Sequence, residues 1–117
     1  MRGDRCELLC LDLPRAENIR RYLDAAAIAE LAARGKALGD PTRVTLAVAL
    51  REGGELCVCD LAWITGRHEN LVSHHLRTLH AAGLASSRHE HKIVFYALTE
   101  LGRSVLDTHL TPIAARR

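Results

Sequence analysis

The clearest hydrophobic pattern in the chain is Val72, Leu76 and Leu79, apolar at i, i+4 and i+7 in a polar segment. That spacing predicts an amphipathic helix over about 70–82 with one buried stripe, ended by Gly83. A shorter helix is predicted before it, over 59–65, with Leu61 and Ile64 inward and Gly66 as the turn. Two short helices joined through a glycine match a helix-turn-helix. Upstream, Asp40-Pro41 is a strong helix start, an N-cap followed by proline at the first helical position. Val44, Leu46, Val48 and Leu50 follow, and Gly53-Gly54 stops that helix. Ile19, Leu23, Ile28 and Leu31 give a looser helical spacing over 16–34, for one or two helices. Residues 1–16 read as an arm in which Glu7-Leu-Leu-Cys-Leu makes a helical turn and Pro14 interrupts it.

Past Gly83 the period changes from helical to two. Residues 84–87 and 93–98 read as strands, with Glu90-His91 at the hairpin tip. Thr99 is placed to cap a last helix over 100–110 containing Leu101, Val105 and Leu106. The predicted fold is mainly α with a two-stranded β-hairpin: a winged helix-turn-helix with extra helices at both ends. The organisation is an N-terminal arm over 1–16 and a DNA-binding and dimerisation domain over 17–117.

Composition refines this picture. The chain has 117 residues, 48% hydrophobic but only 3% aromatic, so its core must be Leu, Ala and Val. So short a chain often completes its core with a second copy, which makes a homodimer the expectation. A formal net charge of +2 does not by itself imply nucleic acid; charge placement has to carry that argument. The first residues lack the apolar run of a signal peptide, and no stretch approaches the roughly 20 apolar residues of a membrane span. A cytoplasmic protein with reduced thiols and no membrane partner is expected.

With Val72, Leu76 and Leu79 inward, Ser73, His74, Arg77 and Thr78 face outward, with Asn70 at the helix start. These side chains can hydrogen-bond base edges and phosphates of double-stranded DNA. The hairpin adds Arg88, His89, His91 and Lys92, a basic tip suited to a phosphate backbone or minor groove. A merely solvated polar face is the plainer alternative. His74-His75 is a poor joint metal site, because adjacent helical residues diverge by about 100°.

Four cysteines fall in two pairs, Cys6/Cys10 and Cys57/Cys59. The i, i+4 pair aligns on one helical turn. The i, i+2 pair suits an extended entry into a helix, where free N–H groups are expected to favour thiolate. In a reducing compartment such pairs indicate a metal site rather than a disulfide framework. Four thiolates select soft ions such as zinc, cadmium and lead, and close the coordination shell against hydrolytic chemistry. A permanent zinc staple, unlinked buried thiols and a disulfide redox switch remain alternatives. A thiol oxidoreductase would want Cys-x-x-Cys in a β-α-β setting, which this chain does not offer. No enzyme activity and no organic cofactor are expected.

Glu55-Leu-Cys-Val-Cys-Asp-Leu, Ser73-His-His-Leu-Arg-Thr-Leu and the hairpin end Phe95-Tyr-Ala-Leu together resemble the ArsR/SmtB family of metal-responsive repressors. Cys6-Glu-Leu-Leu-Cys10 resembles its cadmium- and lead-sensing branch. The resemblance runs from Cys6 to about residue 110. It implies a homodimeric winged-helix repressor of a metal-resistance operon, typically for an efflux pump, released from its operator by Cd2+, Pb2+ or Zn2+. It implies Cys6, Cys10, Cys57 and Cys59 as ligands, with the arm of one subunit meeting the Cys-Val-Cys segment of the other. Release by arsenite, which needs three thiolates, or by oxidants through the same thiols is the alternative. A second family site on the last helix would begin at Glu100 and Gly102 and end near Ile113 and Arg116, so that site is expected to be lost. Asp107 and His109 remain as an Asp-x-His pair, read as solvated or at a dimer edge. His91 stands where the family's wing usually carries glycine; histidine tolerates positive φ better than most residues.

Overall fold

The computed structural model describes the backbone of residues 10–114 and the side chains of residues 10–109. Asp12 caps the first helix, α1 (Leu13–Tyr22), accepting from the Arg15 backbone N–H at 2.8 Å. Pro14 therefore lies in the first turn, where its missing N–H costs nothing. The expected interruption is a helix start, and α1 runs through the boundary placed at residue 16. Asp24 likewise accepts from the N–H groups of Ala26 and Ala27 at the head of α2 (Ala25–Ala37). The chain divides into two compact units, with the boundary inside α2 between Leu31 and Ala32. In the first unit α1 buries no residue, and Leu13, Ile19, Tyr22, Leu23, Ile28 and Leu31 are all exposed.

The second unit holds the core. Asp40 caps α3 (Pro41–Gly53) as its sequence predicts, accepting from Thr42 N at 2.8 Å and Arg43 N at 3.3 Å. Then come β1 (Glu55–Cys57), α4 (Val58–Thr65), α5 (Glu69–Ala81), β2 (Ala85–Glu90), β3 (Ile93–Leu98) and α6 (Glu100–Ala114). Leu46 and Leu50 of α3, Leu61 of α4, and Val72, Leu76 and Leu79 of α5 are fully buried together. Each such side chain contributes about 1.5–3 kcal/mol of burial. Ile64 is 50% exposed, and Ala62 takes the inward place predicted for it.

The sheet has three strands, not two, in the antiparallel order β1-β3-β2. The extra strand pairs Glu55, Leu56 and Cys57 with Ala97, Tyr96 and Phe95. Three residues are too short to display a period of two, so the sequence pattern could not reveal it. The hairpin is longer than predicted, with Glu90 opposite Ile93 and the turn at His91-Lys92. His91 has φ 58°, the only positive φ on a non-glycine among the described residues, at the position expected to need it. Thr99 caps α6, its hydroxyl accepting from Gly102 N at 3.0 Å. No helix among the described residues is long and apolar enough to cross a membrane.

Candidate metal centre and nucleic-acid interface

Cys57 is both the last residue of β1 and the N-cap of α4, with extended backbone (φ −84°, ψ 165°). Its side chain makes no cap hydrogen bond, so its sulfur is not committed to the helix end. Cys59 follows in the first turn and is exposed. Cys10 is exposed in the first unit of the chain, and Cys6 lies outside the described residues. Among the described residues no three His, Cys, Asp or Glu side chains converge as a metal set.

Across the turn, Cys59 meets the first residue of α5: its Sγ lies 4.0 Å from Glu69 Oε1, to which the thiol donates. The carboxylate beside it is the main reason the Cys59 thiol is held above its ordinary pKa; partial desolvation and the neighbouring Cys57 and Asp60 add, while a backbone contact opposes. The helix N-terminus does not win at Cys59, which corrects the expectation of a ready-made thiolate there. Replacing Glu69 by glutamine removes the largest cause. In a chain retaining Cys59 as its sole cysteine, E69Q should raise the thiolate fraction and speed iodoacetamide alkylation near pH 8. An unchanged rate would remove Glu69 from this role. Glu69 is not legible in the sequence pattern because the contact crosses the Gly66 turn. A groove lined by Cys59, Trp63, His68 and Glu69 joins the thiol to the first turn of α5. Trp63, 85% exposed, is likewise not singled out by the sequence pattern.

The turn is set by Gly66, whose left-handed φ of 68° lets its N–H bond back to Trp63 O. His68 then caps α5, its Nδ1 accepting from Asn70 N at 3.1 Å. Asn70, His74 and Arg77 are exposed, while Ser73 and Thr78 are half-buried at the margins of that face. The Thr78 hydroxyl donates to His74 O at 3.3 Å. His75, the neighbour weighed only as a metal ligand, is 7% exposed and belongs to the inner face. Its signal was available: position 75 completes the 72, 75, 76, 79 stripe.

In the wing, His89, His91 and Lys92 are exposed. Arg88 is engaged within the sheet. Its Nε and Nη2 donate to the two Glu55 carboxylate oxygens at 2.8 and 2.7 Å, Nη1 donates to Glu90 at 2.7 Å, and the guanidinium lies 4.6 Å from the Phe95 ring centre. The same contacts hold the Arg88 pKa above its ordinary value and the Glu55 carboxyl below its own. A phosphate would have to compete with two carboxylates for Arg88, whose side chain is 48% exposed beside the other basic residues of the wing.

Among the described side chains the last helix carries no replacement for the second family site; the side chain at Ile113 and all of Arg116 lie outside the described residues. Gly102 is buried, and a Cβ there would collide with the carbonyl of Leu84. Asp107 is held by Arg51, whose Nε donates at 2.6 Å, and His109 is exposed.

Comparison with known proteins agrees with this geometry. Residues 40–87, spanning α3 to β2, match the family described as bacterial regulatory protein, arsR family. A cadmium resistance transcriptional regulatory protein CadC homolog from Staphylococcus aureus is 38% identical over 100 residues, covering 86% of this chain and 83% of that protein. The arsenical resistance operon repressor of Escherichia coli is 41% identical over 64 residues, 55% of each chain. Among solved structures, the transcriptional repressor BigR from Xylella fastidiosa has a TM-score of 0.63 at 30% identity, covering 85% of this chain and 94% of that one. A homodimeric winged helix-turn-helix DNA-binding domain from Mycobacterium bovis shares the fold with a TM-score of 0.67 at 23% identity, covering 92% of this chain and 91% of that one. The winged helix-turn-helix, its exposed recognition face and the relative that matches most of its length establish that the chain belongs to the arsR family of bacterial transcriptional regulators, DNA-binding proteins rather than enzymes.

Proposed function

We propose that this protein is a cytoplasmic, homodimeric repressor that binds operator DNA without metal and leaves it when soft thiophilic cations fill a four-cysteine site. Cys57 and Cys59 of one subunit, with Cys6 and Cys10 from the arm of the other, would hold Cd2+, Pb2+ or Zn2+; the regulated genes would be those of metal resistance or efflux. The donor set fits such ions: thiols are soft ligands, and Cys57 and Cys59 sit together at a helix entry, where the Cys57 sulfur makes no cap bond. Exposed apolar residues on α1 and α2 support association with a second copy.

The observation that carries the reading is the meeting of Cys59 with Glu69, the residue that begins α5. A bound cation would supply the positive charge that lets these thiols deprotonate. Cys59 then loses its proton and with it the bond it donates to Glu69. The start of α5 is freed from that contact, and α5 is the helix that presents Asn70, Ser73, His74, Arg77 and Thr78 to the major groove. His89, His91 and Lys92 would meet the flanking phosphates.

The test is operator-bound protein challenged with cadmium, lead, zinc, arsenite and peroxide, followed by fluorescence anisotropy and by sulfur-to-metal charge-transfer absorption. Release by the divalent soft ions with a growing ultraviolet band is the expected result; no release by any of them would sink the proposal. Arsenite is the second reading, favoured by the likeness to the arsenical resistance operon repressor and by its need for only three thiolates. Release by arsenite alone would install it. In the metal-free protein, Arg77→Ala should weaken operator binding by roughly 5- to 150-fold, the range for a base-contacting side chain.

A further inference from the structure

We propose that Arg43 is a positioning residue for the recognition helix, acting through His75. The inference rests on the reading of α5 as the helix that enters DNA. Arg43, on α3, is largely buried, with a side chain 14% exposed. Its Nε donates to Ala37 O at 2.7 Å and its Nη2 to Lys36 O at 3.2 Å, the carbonyls that end α2. Its Nη1 lies 3.1 Å from His75 Nδ1, on the inner face of α5. One guanidinium therefore joins the end of α2, the start of α3 and the middle of α5.

A guanidinium only donates, so His75 Nδ1 must accept and the ring proton must sit on Nε2. Protonated histidine has no acceptor, so the tie exists only with neutral His75. The surroundings keep it neutral. Burial lowers its pKa below the ordinary 6.5; Arg43, His74 and Arg67 push the same way, and the Asp40 carboxylate opposes them. Asp40 itself caps α3 and lies 4.0 Å from Arg43 Nη1.

The tie matters because the rest of the inner face of α5 is Val72, Leu76 and Leu79, whose burial is not directional. Aliphatic packing tolerates small rotations of a helix about its axis; a hydrogen bond to a fixed guanidinium does not. His74 and Arg77 stand on either side of His75 in sequence, so a rotation that breaks the tie swings both away from their groove positions.

The experiment compares His75→Leu and His75→Gln with the wild-type chain and with Arg77→Ala, reading operator affinity from pH 5.5 to 8 and thermal unfolding of the DNA-free protein. His75→Leu keeps the apolar volume and loses the acceptor; it should remain folded yet bind operator at least about tenfold more weakly at pH 8, the scale of a lost hydrogen bond to a charged group. His75→Gln offers an amide oxygen that does not titrate and should restore binding at pH 8. Wild-type affinity should fall only as the pH drops through the lowered pKa of His75, which lies below the ordinary 6.5, and that fall should be flattened in His75→Gln. Wild-type operator affinity in His75→Leu overturns the proposal, provided Arg77→Ala is weakened in the same assay. If Arg77→Ala is also unchanged, what fails is the assignment of α5 to DNA. Should His75→Leu not fold, an undiminished acid fall in His75→Gln overturns the proposal instead.

Discussion

Replacing Gly102 by alanine should destabilise the protein by about 2–3 kcal/mol, although the same change in most helices is favourable by about 1 kcal/mol. The sign is decided by what the added methyl meets. A Cβ on Gly102 would collide with the carbonyl oxygen of Leu84 and come within 3.0 Å of its carbonyl carbon and 3.3 Å of its Cα. These are backbone atoms and have no rotamer to turn to. The Leu84 oxygen is also fixed by the Thr99 N–H at 3.1 Å, the bond that brings the chain into α6. Relief therefore requires α6 to move away, taking buried Leu106 with it. Gly35 supplies the control. It lies in α2 with nothing within 4 Å of its added Cβ, so Gly35→Ala should stabilise by about 0.5–1 kcal/mol. Urea unfolding at matched protein concentration reads both, and a Gly102→Ala chain as stable as wild type would show that α6 is not seated on Leu84. The same contact explains why this chain has no place for a histidine ligand at position 102: the helix is packed against the Leu84 backbone more closely than any side chain there allows.

The features legible in the sequence are those written in local pattern. The Val72, Leu76, Leu79 stripe, the Asp40-Pro41 start, the Gly66 turn and the Thr99 cap each depend on residues within one or two turns, and each is where the pattern puts it. The positive φ of His91 was likewise readable, because a two-residue hairpin turn demands it of someone. What stayed hidden depends on long-range pairing. β1 exists because β3 comes back to it, and Arg88 is bound by Glu55 from 33 residues away. No periodicity reports such a meeting. Ile64 was misplaced because an eight-residue helix has too few apolar positions to define its inner face. The thiol site was half legible. Spacing singled out Cys57 and Cys59, but the dipole argument for a thiolate ignored Glu69, whose full charge at 4.0 Å outweighs the partial charge of a helix end.

Cys59→Ser should separate the two activities: operator affinity within about twofold of wild type without metal, and loss of an inducer effect on the order of 150-fold, equivalent to a coupling of about 3 kcal/mol. The metal-free half follows from the structure. Cys59 is exposed, lies outside the set proposed to face DNA, and serine keeps a hydroxyl that can donate to Glu69. The metal half follows from ligand chemistry. A serine hydroxyl does not deprotonate near neutral pH and is a hard donor, so a four-sulfur set loses both charge and softness at one position. Cys57→Ser should act alike, since Cys57 caps α4 through backbone alone and serine is if anything the better cap. Coupling between sites is reciprocal: if cadmium is the inducer proposed, operator DNA should weaken cadmium binding to the wild-type chain by the same factor by which cadmium weakens DNA binding. In either serine variant both ratios should approach one together. Cadmium titrations of free and operator-bound protein, paired with operator titrations at saturating and zero cadmium, measure all four legs of that cycle. A serine variant that still releases DNA by the full factor at matched cadmium occupancy would place the inducer elsewhere, and the contact between Cys59 and Glu69 would then be no part of the switch.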